Sequence, residues 1–161
     1  LDNVDAPKEG SSRVLTQFLH NILYAVPIKL VDGGHQRRCF TFIEDGIDGL
    51  MKILVNENGC ADGQIFNLGN PAADLSIREL AQQLLAAVGT YERFAPLAHD
   101  AKVVEVSSAD YYGANYQDIE TRVPSIRKAK ECLGWAPSTD FPTGLKRTLD
   151  FYLSGRTTPE V

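Results

Sequence analysis

Apolar residues recur along the chain at two spacings, and the spacing changes at glycines and prolines. Val14, Leu15, Phe18, Leu19, Ile22, Leu23 and Val26 fall on one stripe at helical period, with Ser11 and Ser12 as capping residues and Pro27 as the stop. Residues 28–31 (Ile-Lys-Leu-Val) read as a short strand. Asp32-Gly33-Gly34 reads as a turn that uses glycine's tolerance of positive φ. Residues 38–43 alternate like a second strand, and Ile47, Leu50, Met51, Leu54 and Val55 mark a second helix.

Residues 64–68 read as another strand, ending in Gly69-Asn70-Pro71. Ser76 followed by Glu79 is a capping box, and the helix it opens carries Ile77, Leu80, Ala81, Leu84, Leu85 and Val88 before Gly89. Residues 102–106 look like a strand. Residues 107–123 show no apolar period but hold three tyrosines, so they read as a long irregular loop of the kind that often carries function. Ser125 is placed to cap a helix through Leu133, closed by Gly134. Pro142 suits the first turn of a last helix with Leu145, Leu149, Tyr152 and Leu153. The sum is one domain of mixed α and β over residues 1–161, without repeat, linker or low-complexity tract.

Composition narrows this picture. Of 161 residues 43% are hydrophobic and 23% charged, the balance of a globular domain with its own core. A formal charge of −5 argues against general nucleic-acid binding, so any anion must be met by a local cluster of cations. No apolar run approaches the roughly 20 residues of a membrane span. Cys39, Cys60 and Cys132 are odd in number and form no Cys-x-x-Cys pair, which fits a reducing, cytoplasmic setting without a zinc site. The first residue is Leu and the sole methionine is Met51, which points to processing or to a longer polypeptide.

Two stretches offer chemistry. Lys29, Arg37 and Arg38 surround the glycine turn, where a backbone can approach a ligand closely and arginines can hold a diphosphate. Alternation puts Arg37 and Arg38 on opposite faces of their strand, so one at most turns inward; a hairpin with a solvated basic edge is the plainer alternative. The second stretch runs from Tyr111 and Tyr112 through Tyr116 to Arg122, just before a helix start that favours anions. Its tyrosines suit either stacking on a base or sugar, or pinning the loop to the core. His20 lies beside an apolar stripe and suits packing, and Asp32, Glu44, Asp45 and Asp48 suit turns and helix starts. No nucleophile elbow, phosphate-binding glycine loop or metal-spaced His/Glu pair is present.

The strings Gly34-His-Gln-Arg-Arg-Cys-Phe40, Asp45-Gly-Ile-Asp-Gly-Leu50 and Phe66-Asn-Leu-Gly-Asn70 resemble extended short-chain dehydrogenases acting on sugar nucleotides. So does the tail from Ile126 through Leu133-Gly134-Trp135-Ala-Pro137 to Gly144-Leu145. Leu1-Asp2-Asn3, Gly10-Ser-Ser-Arg13, Pro27-Ile-Lys-Leu30, Tyr111-Tyr112-Gly113, Tyr116-Gln117-Asp118 and Pro124-Ser125-Ile126 resemble the UDP-glucuronate decarboxylase half of bifunctional polymyxin-resistance enzymes. The resemblance implies an α/β fold: the C-terminal, substrate-binding part of a Rossmann-type parent, with most of the NAD-binding half missing.

It further implies that Lys29, Leu30, Val31, Asp32, Gly33, Gly34, His35, Gln36, Arg37, Arg38 and Tyr116 line a UDP-sugar. Lys29, Arg38 and Arg122 are then expected to meet round its pyrophosphate. Arg122 matches the arginine assigned as proton donor after decarboxylation; a guanidinium, almost never deprotonated, suits stabilising an enolate at least as well. The implied chemistry is oxidation at C4 by NAD, loss of CO2 from the β-keto acid, and release of a UDP-4-keto-pentose for aminoarabinose modification of lipid A.

The family's glycine-rich NAD loop, Tyr-x-x-x-Lys pair and Ser-Glu dipeptide precede the segment matching Leu1, so the chain alone is expected neither to hold NAD tightly nor to turn over substrate. The parent is expected to be a homo-oligomer without membrane insertion. Alternatives are another sugar-nucleotide epimerase, dehydratase or UDP-xylose synthase, or a noncatalytic UDP-sugar-binding module.

Overall fold

The computed structural model describes residues 13–113 and 119–154. The chain packs as two compact units, each drawn from separated stretches of sequence. Among the described residues, the first unit holds 13–35, 76–113 and 145–154, and the second holds 36–75 and 119–144.

The first unit is built round two parallel strands, β1 (Ile28–Val31) and β4 (Val103–Val106), in the register Ile28↔Val103 to Val31↔Val106. Ile28 and Leu30 turn into the core and Lys29 turns out, the alternation that a strand imposes. Three helices pack beside them: α1 (Val14–Leu23), α3 (Ile77–Val88) and α4 (Ala95–Asp100). Phe18, Leu19 and Ile22 of α1 are buried, as are Leu80, Leu84 and Val88 of α3. The Ser76–Glu79 capping box forms as the sequence indicates: Ser76 Oγ accepts from Glu79 N at 3.0 Å and Glu79 Oε2 from Ser76 N at 2.7 Å.

α1 ends three residues before the expected Val26. Pro27 disfavours helical backbone at the residue before it, Ala25 takes a left-handed φ of 54°, and the Val26 N–H returns to Asn21 O at 2.8 Å. Ser11 and Ser12 lie outside the described residues; Arg13 is the N-cap and makes no side-chain capping bond. Part of the expected irregular stretch is ordered as a short helix, α5 (Ser108–Tyr112), whose cap Ser107 accepts from Asp110 N at 3.1 Å.

The second unit carries a three-stranded sheet in the order β3 (Asp74–Ser76), β2 (Arg37–Cys39), β5 (Thr121–Arg122). The expected strand over 38–43 is shorter, because Ile43 already begins α2 (Ile43–Val55). Residues 64–68 form no strand: among the described residues nothing pairs with them, although Phe66 and Leu68 pack inward while Ile65 is 85% exposed. α6 (Arg127–Leu133) starts after Ile126, and Ser125 does not cap it; its end does match expectation, with Gly134 left-handed at φ 59°. α7 (Phe141–Leu153) opens with Asp140 Oδ1 accepting from Thr143 N at 2.8 Å, so aspartate supplies the start that Pro142 alone suggested.

Trp135 is the centre of this unit, fully buried against Ile126 and Ala129. Its indole donates to the Asp45 carbonyl at 3.0 Å. The Asp45 carboxylate, 6% exposed, accepts from Ser138 N and Oγ at 3.1 and 2.9 Å and from Thr139 N at 3.1 Å. Burial alone would push this carboxyl up, but the bonds from Ser138 and Thr139 outweigh it and hold the group below the ordinary carboxylate value. Asp45 is thus a clasp on a segment more than ninety residues away, and the helix-start role expected of it is the lesser one.

Candidate functional site

The stretch 29–38 divides between the two units after His35. In the first unit, the β1 strand runs into a tight turn, Asp32–Gly34, where three consecutive residues have positive φ (46°, 75° and 70°). Glycine is required at the second and third of these. A Cβ on Gly33 would sit 2.8 Å from the His35 ring, and one on Gly34 would sit 3.1 Å from the Arg78 backbone nitrogen.

Two side chains from elsewhere fix the turn. Arg78, on the first turn of α3, donates its Nε to Gly33 O at 2.9 Å and pairs with Glu105 of β4. Asp32 Oδ1 accepts from Ser108 N at 2.9 Å, tying the turn to the start of α5. Arg78 escaped the sequence reading because it lies 45 residues from the carbonyl it holds; the signal was only a cation in the first turn of a helix, where the dipole disfavours one.

Lys29 is exposed on β1, its ammonium 5.9 Å from the centre of the Tyr111 ring. The Tyr111 hydroxyl accepts from Gln17 Nε2 at 3.0 Å, so this tyrosine pins its segment to α1. Leu30 is core; Val31 is half-buried and His35 exposed. Tyr116 lies outside the described residues. His20 stacks on Tyr24 with ring centres 4.3 Å apart, a packing contact.

In the second unit, Gln36 is half-buried and Arg37 and Arg38 separate as strand alternation requires. Arg37 donates Nε to Asp74 Oδ2 at 2.9 Å and Nη2 to Asp74 O at 2.8 Å, joining β2 to β3. Arg38 donates Nη1 to the carbonyls of Ile119 at 2.7 Å and Arg37 at 2.8 Å. β2 and β5 run parallel with Arg38 opposite Arg122, so the strand pair sets two guanidinium-bearing residues side by side on one face. Arg122 is exposed. Burial pushes the nearby Cys39 thiol up, Asp74 adds to this and Arg37 opposes it; the group stays a protonated thiol rather than a nucleophile. Among the described residues no cluster of His, Cys, Asp or Glu could hold a metal, and no helix is long and apolar enough to cross a membrane.

A family model described as GDP-mannose 4,6 dehydratase matches residues 3–148, and the chain belongs to that family of extended short-chain dehydrogenases that modify sugar nucleotides. Among solved structures it is similar to the PbgP3 protein from Burkholderia pseudomallei, at 42% identity and a TM-score of 0.78, over 93% of this chain and 41% of that one. It is also similar to the epimerase Mth375 from Methanothermobacter thermautotrophicus, at 26% identity and 0.64, over 88% of this chain and 39% of that one.

UDP-glucuronic acid 4-epimerase from Bacillus cereus, solved with a fluorinated UDP-glucuronic acid and NAD, shares the fold at 19% identity and 0.67, over 90% and 41%. The chain therefore spans about two-fifths of the length of these relatives. That epimerase was solved with NAD; in this chain the Asp32–Gly34 turn does not fit a dinucleotide's phosphates. The glycine turn is closed on its own chain by His35 and Arg78, and offers no open backbone cradle.

Proposed function

We propose that this chain is the substrate-binding part of an NAD-dependent UDP-glucuronate decarboxylase that makes a UDP-4-keto-pentose for aminoarabinose modification of lipid A. The observation that carries the reading is the register of Arg38 against Arg122 on β2 and β5. That pair gives a diphosphate or carboxylate two cationic neighbours on one face. The family model over residues 3–148 supports a sugar-nucleotide substrate, and the choice of subfamily rests on the strings that resemble UDP-glucuronate decarboxylases.

In this reading Arg38 contacts the pyrophosphate, and its bonds to the Ile119 and Arg37 carbonyls keep the guanidinium from swinging away. Arg122 faces the negative charge that develops when the carboxylate leaves as CO2. A guanidinium is a poor proton donor, so Arg122 steadies that charge while water supplies the proton. Of the stretch expected to line the nucleotide, the exposed Lys29, Asp32 and His35 are the members that remain candidates, Leu30 being buried in the core, and Asp32 and Arg78 hold the backbone in place. Tyr116 is a further substrate contact. The nicotinamide cofactor is held by sequence outside this chain, so the chain alone is catalytically silent. The parent is a cytoplasmic homo-oligomer.

Calorimetric titration with UDP tests the binding half of the proposal. Arg122→Ala is expected to weaken UDP-glucuronate binding by roughly 10- to 100-fold, with a smaller loss for UDP. Arg38→Ala is expected to weaken both. Equal affinity in the parent chain and both variants overturns the assignment. For the reaction, restoring the remainder of the domain and analysing the product separates the alternatives: a released UDP-4-keto-pentose supports the decarboxylase, whereas UDP-xylose or a 4-epimer overturns it.

A further inference from the structure

Lys29 projects from β1 between the buried Ile28 and Leu30. A surface lysine on its flexible four-carbon stem ordinarily sweeps through solvent or pairs with a carboxylate. The carboxylates of this strand pair and its turn are directed elsewhere. Asp32 accepts from Ser108 N, and Glu105, one residue on from Lys29's register partner Val104, pairs with Arg78. The Lys29 ammonium lies instead over the Tyr111 ring, 5.9 Å from its centre.

Tyr111 is itself held on three sides. Its hydroxyl accepts from Gln17 Nε2 of α1 at 3.0 Å, and its ring packs edge to face with Tyr112, the centres 4.7 Å apart. Its helix α5 is tied to the glycine turn through Asp32 and Ser108. The ring is therefore a fixed platform and the lysine the adaptable partner. An aromatic face attracts a cation through its quadrupole but carries no net charge. Unlike a carboxylate, it restrains the ammonium and leaves the positive charge uncancelled for an incoming anion.

We propose that Tyr111 is a positioning residue: its ring holds the Lys29 ammonium in place for the diphosphate of the nucleotide. The inference rests on the reading of Lys29 as a nucleotide contact. A lysine already restrained loses less side-chain freedom when the anion arrives, so affinity rises without any contact between Tyr111 and the ligand.

Calorimetric titration with UDP tests this. Lys29→Ala is expected to weaken binding about tenfold and Tyr111→Leu about three- to fivefold. Tyr111→Phe keeps the ring and is expected to stay within about twofold of the unsubstituted chain. With Lys29→Ala already present, Tyr111→Leu is expected to cost nothing further, the signature of one side chain acting through the other. A second readout needs no ligand. After 13C-dimethylation of the lysines, the Lys29 methyl signal is assigned by its loss in Lys29→Arg. It is expected upfield of the signals of the exposed Lys102 and Lys130 through the Tyr111 ring current, and to lose that shift in Tyr111→Leu.

Three results overturn the proposal: equal losses from Tyr111→Leu with and without Lys29, a loss from Tyr111→Phe as large as from Tyr111→Leu, or an unshifted Lys29 methyl in the unsubstituted chain. The last decides even where Tyr111→Leu fails to fold. Unchanged UDP affinity in Lys29→Ala overturns the assignment of Lys29 to the nucleotide and this proposal with it. A loss from Lys29→Ala without coupling to Tyr111 overturns this proposal alone, so the two failures are told apart.

Discussion

α3 and α2 are helices of 12 and 13 residues with equally clear apolar stripes, and they use them in opposite ways. α3 sinks Leu80, Ala81, Leu84 and Val88 into the first unit; α2 holds its stripe outward and turns an aspartate and a glycine to the core. Periodicity therefore tells that a face is to be covered, and leaves open what covers it. The inward side of α2 is secured by polar chemistry instead: Asp45 reaches Ser138 and Thr139, and its own carbonyl receives the Trp135 indole.

The sharpest way to break this contrast is to truncate both stripes. Leu84→Ala is expected to cost about 2–5 kcal/mol of stability by denaturant unfolding. Leu54→Ala, at a site 75% exposed, is expected to change it by less than about 0.5 kcal/mol. Similar losses at the two sites would mean that α2 is covered after all.

A smaller effect is expected from Asp45→Asn, about 1–3 kcal/mol, because the amide presents a donor where three donors already converge. The same group sets an acid limit. Its pKa in the folded chain lies below the ordinary 3.8, so its contribution is complete above that value and drains away as pH falls through the lowered one. Acid unfolding followed with and without the substitution checks the sign: Asp45→Asn should flatten the acid slope.

Ser76→Ala is expected to cost about 1 kcal/mol by removing the cap of α3, with no change in the second unit's tryptophan emission. The smallest effect belongs to Tyr91, whose hydroxyl donates to Asp150 at 2.7 Å. Burial and Asp150 push its pKa up to about 12, so stability is full below the ordinary 10 and falls as pH rises from there towards 12. Tyr91→Phe should remove that alkaline slope, as circular dichroism across the range would show.

What could be read in advance follows the range of the interaction. The Ser76–Glu79 box and Gly134 as a left-handed stop each depend on a few neighbouring residues, and they stand as read; β1 stands too, because β4 supplies its partner. The early end of α1 was also local, but it lay in the residues before Pro27 rather than in the apolar count. The strand expected at 64–68 failed because a strand needs a partner, which alternation cannot supply. Asp45 looked like an ordinary helix-start acid since its partners lie more than ninety residues on. At the site, alternation did separate Arg37 from Arg38, but only the fold shows Arg37 committed to Asp74 and Arg38 in register with Arg122.

Trp135 is the sole tryptophan of the chain, and it is wholly enclosed in the second unit. Its fluorescence is therefore a built-in gauge of that unit alone. Loosening of the Asp45 clasp shifts the emission to longer wavelength, whereas melting confined to α1 and α3 passes unseen by this probe and must be followed by helical signal instead.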